Sequence, residues 1–184
     1  EGGPHDPRWA EAATRVDDYL KQIVLQMDLK QDTIIITSDH GHINAGGHGG
    51  HDQAVLLEPL VLAGKAIQPG EYPDTQMVDI APTIAALLGT NIPASTQGRV
   101  LTEMLVLPEN SIAALPGLVN AQQKALLTAY AIAIGKTAPA ITVEPTADAR
   151  IYQQQLTSLK TARQTSERLP RFALVVLLFG LIVF

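Results

Sequence analysis

The stretch TIIITSDHGHINAGGHGGHD, Thr33 to Asp52, decides how the rest of the chain is read. Its opening run, Thr33 to Thr37, has the length and β-branched content of a strand buried on both faces. The run ends in a polar, glycine-rich loop carrying Asp39, His40, His42, His48, His51 and Asp52, so four of the chain's 5 histidines fall between positions 40 and 51. Carboxylate oxygen and imidazole nitrogen are ligands that zinc, manganese and iron accept, and the chain has no cysteine to offer a thiolate. Glycines at 41, 46, 47, 49 and 50 let the backbone fold tightly enough for these side chains to converge. In open α/β sheets, ligands bind beyond the carboxyl ends of strands, and this loop leaves such an end. A single histidine here would read as solvated surface. Asp-His at a strand end followed by Gly-His-Gly reads as a divalent metal site.

The 184 residues suffice for one ordinary domain plus an appendage. The chain opens with Glu inside what reads as a motif and stops inside an apolar run, so it is expected to be a piece of a longer polypeptide. A net charge of -5 argues against a general nucleic-acid binder, which needs a basic stripe for phosphate contacts. The absence of cysteine excludes a disulfide framework and a thiol nucleophile.

Upstream of the histidine loop, Asp6 followed by Pro7 starts a helix, Asp capping free amides and Pro suiting the first helical position. Trp9, Ala13, Val16, Leu20, Ile23 and Met27 recur at helical spacing to about Leu29 and are expected to face a core, with Asp17 and Asp18 solvated. Downstream, Val55 to Gly64 reads as a second buried strand, shortened by Pro59. Thr75 to Leu88 reads as a helix closed by Gly89, with Pro82 making its first turn separate or moving its start to about Ala81. This alternation argues an α/β layer architecture.

Beyond Pro108 the composition shifts to Ala, Leu and Gln. Leu118 to Gly135 and Ala147 to Leu169 read as two helices, either a hairpin or a stalk near a membrane. Phe172 to Phe184, FALVVLLFGLIVF, carries no charge and would reach about 20 Å as a helix, against about 30 Å for a bilayer core. It reads as a truncated transmembrane helix. Lys160, Arg163, Arg168 and Arg171 precede it, which by the positive-inside tendency places this flank in the cytoplasm, a tendency that long translocated domains escape.

The run SDHGH, then GGHGG, then VDIAPTIAALLG and the proline of NIP resembles the carboxyl-terminal half of the alkaline phosphatase superfamily. Within it the chain resembles phosphodiesterase and nucleotide pyrophosphatase-like members, and phosphoethanolamine transferases of the glycolipid-anchor pathway, over about residues 1 to 104. The resemblance implies two divalent ions, zinc or in some branches manganese, clamping a phosphoryl group during in-line displacement. Carried over by motif, Asp39 and His40 bind the ion that also activates the nucleophile, and His48 binds the other. The family's Asp-x-x-x-His motif places His5 at the histidine and Glu1 at the aspartate, a departure, because Glu reaches one methylene farther and Pro4 replaces a frequent glycine. His42 and His51 have no motif role; they support the ligands, face the substrate, or are solvated. The family's Thr or Ser nucleophile and first aspartate ligand lie upstream, and none of Thr33, Thr37 or Ser38 takes that role, so this segment alone is expected not to turn over substrate.

The expected architecture is therefore α/β. Residues 1–107 form the carboxyl-terminal half of an alkaline phosphatase-like three-layer sandwich, followed by a helical membrane-proximal segment at 108–170 and a truncated transmembrane helix at 171–184. The expected function is that of a metal-dependent hydrolase or transferase acting on phosphate esters, small or lipid-linked, in a membrane protein whose catalytic domain is extracytoplasmic or lumenal. A sulfatase, a phosphoglycerate mutase relative, a noncatalytic membrane-tethered module and a metal-sequestering protein are the alternatives.

Overall fold

The computed structural model describes residues 3–47, 50–139 and 150–183. The chain divides into two compact units, Glu1–Glu71 and Tyr72–Phe184.

In the first unit a 3-10 turn, Gly3–His5, leads into helix α1, Pro7–Leu25. Asp6 is extended (φ -78, ψ 127) and its carboxylate accepts the Arg8 amide at 2.9 Å, the cap expected from Asp-Pro. α1 ends about one turn before Leu29. Its apolar stripe is not core: Trp9, Val16 and Ile23 are 46%, 57% and 53% exposed, and no residue of α1 is buried. Helical spacing establishes amphipathicity but supplies no partner. Among the described residues of this unit, the one buried hydrophobic side chain is Val55.

Strand β1, Thr33–Thr37, pairs antiparallel with β2, Leu60–Gly64, in a register running from Thr33 opposite Gly64 to Thr37 opposite Leu60. The expectation that β1 is buried on both faces is corrected. Thr33 to Ile36 are half-buried and Thr37 is exposed, because the described sheet has two strands and no layer covering each face. The second strand also starts later than Val55. Gln53–Leu56 is a short helix, α2, whose Ala54 amide bonds to the Asp52 carboxylate at 3.0 Å. Pairing begins only after Pro59, which has no amide to contribute.

In the second unit a 3-10 turn, Met77–Asp79, precedes helix α3, Ile80–Leu87, and Gly89 follows it at φ +63. The separate first turn is as expected from Pro82. Asp79 is 4% exposed; its carboxylate accepts the Gln76 amide at 3.0 Å and the Arg99 amide at 2.8 Å. One turn on, the buried Thr83 hydroxyl donates to the Asp79 carbonyl at 2.6 Å and accepts the Leu101 amide at 3.0 Å. Two of these four bonds, from the Arg99 and Leu101 amides, fix the segment around Arg99 to Leu101 on the start of α3.

Helices α4, Glu109–Ala133, and α5, Arg150–Val183, pack as a hairpin around Leu127, Ala131, Tyr152, Leu156 and Leu159. α4 starts before the expected Leu118, since Pro116 removes one backbone bond without ending the helix. The expected helix start at Ala147 lies outside the described residues. α5 passes through Pro170 and takes in the apolar run, so the run is a continuation of a polar helix rather than an element of its own. Among the described residues no helix is long and apolar enough to cross a membrane. The uncharged stretch within α5 is about 18 Å long at ~1.5 Å per residue, short of a bilayer core, as expected of a truncated segment. The α/β expectation holds as a mixed helix and strand architecture.

Candidate metal centre

The histidine loop leaves β1 at Thr37 and returns to β2 at Leu60, and these two residues are register partners. A second clasp lies inside this one: the Gly41 amide donates to the Val55 carbonyl at 2.9 Å. Glycine is needed there, since a Cβ at position 41 would come within 2.1 Å of the Ala54 carbonyl oxygen. The amino-terminal turn packs on the same loop. Gly3 lies so close to it that a Cβ would meet the Asn44 carbonyl oxygen at 2.5 Å and the Gly46 nitrogen at 2.8 Å. The segment carrying His5 is thereby brought against the loop carrying His40 and His42, although the His5 side chain itself is exposed.

Within the loop, His40 Nδ1 lies 2.8 Å from the Gly41 carbonyl oxygen. A carbonyl can only accept, so Nδ1 is the atom that donates to it. Nε2 of the same ring faces Asp39 Oδ2 at 3.8 Å. The Ser38 hydroxyl donates to the His40 carbonyl at 2.8 Å and fixes the same turn. His42 repeats the pattern, with Nδ1 3.0 Å from the Gly47 carbonyl oxygen, and its ring meets that of His40 edge-on at 5.7 Å.

An imidazole held at Nδ1 by a backbone carbonyl, as both His40 and His42 are, has the second-partner arrangement common among metal-ligating histidines; of the two, His40 has its Nε2 near a carboxylate oxygen. The 3.8 Å between His40 Nε2 and Asp39 Oδ2 is near the ~3.4 Å edge expected of a tetrahedron with ligand bonds of about 2.0–2.2 Å. The spacing of Asp39 and His40 is thus compatible with two ligands of one divalent ion, with the Asp39 side chain 90% exposed. They make only a pair: among the described residues no group of three or more His, Asp or Glu side chains is gathered for a metal. Glu1 and His48, both expected ligands, lie outside the described residues. Asp52 caps α2, and His51 is exposed beside it. The two backbone clasps and the Ser38 contact were not read from the sequence. The Ser before Asp-His and the Asp two residues before Ala54 were the available signals for local hydrogen bonding.

The family model for type I phosphodiesterase / nucleotide pyrophosphatase matches residues 1–165. The chain belongs to this family. The resemblance to the alkaline phosphatase superfamily is thus borne out. Among similar proteins, GPI ethanolamine phosphate transferase 3, catalytic subunit, of Homo sapiens is 31% identical over 115 residues, covering 59% of this chain and 10% of the relative. GPI ethanolamine phosphate transferase 3 of Schizosaccharomyces pombe is 31% identical over 109 residues, covering 55% of this chain and 12% of the relative. GPI ethanolamine phosphate transferase 2 of Saccharomyces cerevisiae is 28% identical over 139 residues, covering 61% and 17% respectively. The chain thus matches a small part of the length of each. No solved structure matches. For this phosphodiesterase family chain, the histidine loop and the VDIAPTIAALLG segment both fall inside the matched residues.

Proposed function

We propose that this chain supplies part of the metal-binding site of a hydrolase or transferase acting on phosphate esters. The observation that carries the reading is the Asp39 and His40 pair, in which Nε2 of a carbonyl-fixed imidazole faces a carboxylate oxygen at 3.8 Å at the end of β1. Family membership supports the phosphoester class, and the transferases similar to this chain favour transfer of a phosphoethanolamine group to a lipid-linked acceptor.

In this reading Asp39 and His40 hold one divalent ion, while His48, His5 and Glu1 hold a second; zinc or manganese suits these oxygen and nitrogen donors. Bound there, the ions would lower the nucleophile's pKa and offset charge developing on the phosphoryl oxygens. The Gly41 carbonyl keeps the His40 ring turned toward Asp39, and the Gly41–Val55 clasp keeps both on the end of the strand. His42 and His51 support the ligands or face the substrate. The reading includes the three-layer sandwich for the complete domain, the division at 1–107, 108–170 and 171–184, and a membrane setting through the apolar sequence from Phe172, with the catalytic domain lumenal or extracytoplasmic.

Metal content tests it. The purified chain, dialysed against zinc or manganese and measured by elemental analysis, is expected to retain metal. Asp39→Ala and His40→Ala are each expected to reduce it by at least about tenfold in affinity, with Asp17→Ala on α1 as the unchanged control. Equal metal retention by all four folded chains would sink the proposal.

A further inference from the structure

The loop Pro93 to Arg99 in the second unit is held by amide side chains of both hairpin helices. Gln123 Nε2 of α4 donates to the Gly98 carbonyl at 2.7 Å, and Gln153 Nε2 of α5 donates to the Gln97 carbonyl at 2.8 Å. Lys160 Nζ adds a bond to Gln97 Oε1 at 3.0 Å. Because the Gly98 carbonyl accepts only, the amide of Gln123 must present its nitrogen there, and its oxygen is turned elsewhere.

That oxygen is buried and has no protein partner, and so is the Thr96 hydroxyl oxygen. Gln123 is 2% exposed and Thr96 7%. Both side chains line one small cavity with Leu126, Leu127, Tyr152 and Leu156. It offers about 10 Å³ to the centre of a water-sized sphere, the space that one water molecule requires. Burying an amide oxygen and a hydroxyl without a partner is costly. A hydroxyl that can donate, an amide oxygen that can only accept, and room for one small molecule of both characters define a water site.

We propose that a single ordered water occupies this cavity and bridges Thr96 Oγ1 and Gln123 Oε1, completing a polar latch between the 93–99 loop and α4. The water donates to Gln123 Oε1 and exchanges a hydrogen bond with the Thr96 hydroxyl. The loop is then fastened to the hairpin by the Gly98 contact on one side of the Gln123 amide and by the water on the other.

The full chain gives the test. A high-resolution crystal structure is expected to show a water within hydrogen-bond distance of both oxygens. A dry cavity there overturns the proposal without any variant. Independently, Thr96→Val, which keeps the side-chain shape, has opposite consequences in the two cases. If a water is held, removing the hydroxyl takes away one of its partners and lowers the thermal midpoint by about 2–4 °C, while Thr96→Ser retains it. If the cavity is dry, the same substitution removes an unpartnered hydroxyl, and an unchanged or raised midpoint overturns the proposal.

Discussion

The amide of Gly41 reaches the carbonyl of Val55 at 2.9 Å, so that the residue following His40 is tied to the helix that closes the same loop. Gly41→Ala would drive a Cβ into the Ala54 carbonyl. The expected loss is about 1–3 kcal/mol, read as a lower urea midpoint, with metal retention falling in parallel because His40 leans on the Gly41 carbonyl. A fully stable Gly41→Ala chain would show that the clasp is dispensable.

Asp79 is the acceptor for two backbone amides, of Gln76 and Arg99, from a buried position. Asp79→Ala leaves both amides without their partner and is expected to cost about 2–4 kcal/mol. Asp79→Asn keeps one acceptor oxygen and is expected to cost less. Amide hydrogen exchange at Arg99 and Leu101 should accelerate in both variants, and more in the alanine one.

Arg99 bonds to both carboxylate oxygens of Glu103, at 2.9 and 2.5 Å, and holds that carboxyl below its ordinary range. Folded chains therefore bind fewer protons at Glu103 than unfolded ones in that range. The stabilisation is present above the unfolded value, about 4.3, and is lost as pH falls through the lower folded value. The pair is partly solvated, so the expected contribution is under about 1 kcal/mol. Denaturant midpoints followed from about pH 6 to about pH 3 should fall less steeply for Glu103→Gln than for the unsubstituted chain.

Ala66 has φ +62, a left-handed conformation that carries a steric cost for any residue with a Cβ. Ala66→Gly removes that cost and adds unfolded-state entropy, for an expected net gain of up to about 1 kcal/mol. A lower thermal midpoint in Ala66→Gly would mean that the turn is set by contacts of the methyl group instead.

Local signals carried well from sequence to structure where a single residue dictates the backbone. Asp6 and Pro7 start α1, Pro82 separates a first turn from α3, and Gly89 ends it. Signals that depend on neighbours carried less well. The stripe of Trp9, Val16 and Ile23 correctly marks a helix face, but what covers such a face is a tertiary matter. Ile34 to Ile36 likewise mark a strand without stating how many strands lie beside it. Pro116 reads as punctuation, yet it removes only one backbone bond, a loss that the long α4 absorbs, as α5 does at Pro170. At the site, the sharp change from strand to loop composition marks Asp39 and His40, which lie 3.8 Å apart at the strand end. The Gly41–Val55 clasp was not, since nothing in the sequence of either residue names the other.

The pairing of Thr37 with Leu60 has an implication for how this region can change. The two ends of the histidine loop stand one ladder rung apart, about 4.5–5.5 Å, so everything between them is an insert spliced into a ribbon whose alignment does not depend on it. Loop length enters the closure entropy only logarithmically. Such an insert can be shortened, lengthened or exchanged for one with different side chains while the strands keep their alignment. The ribbon is the frame, and the chemistry it presents is an interchangeable cassette.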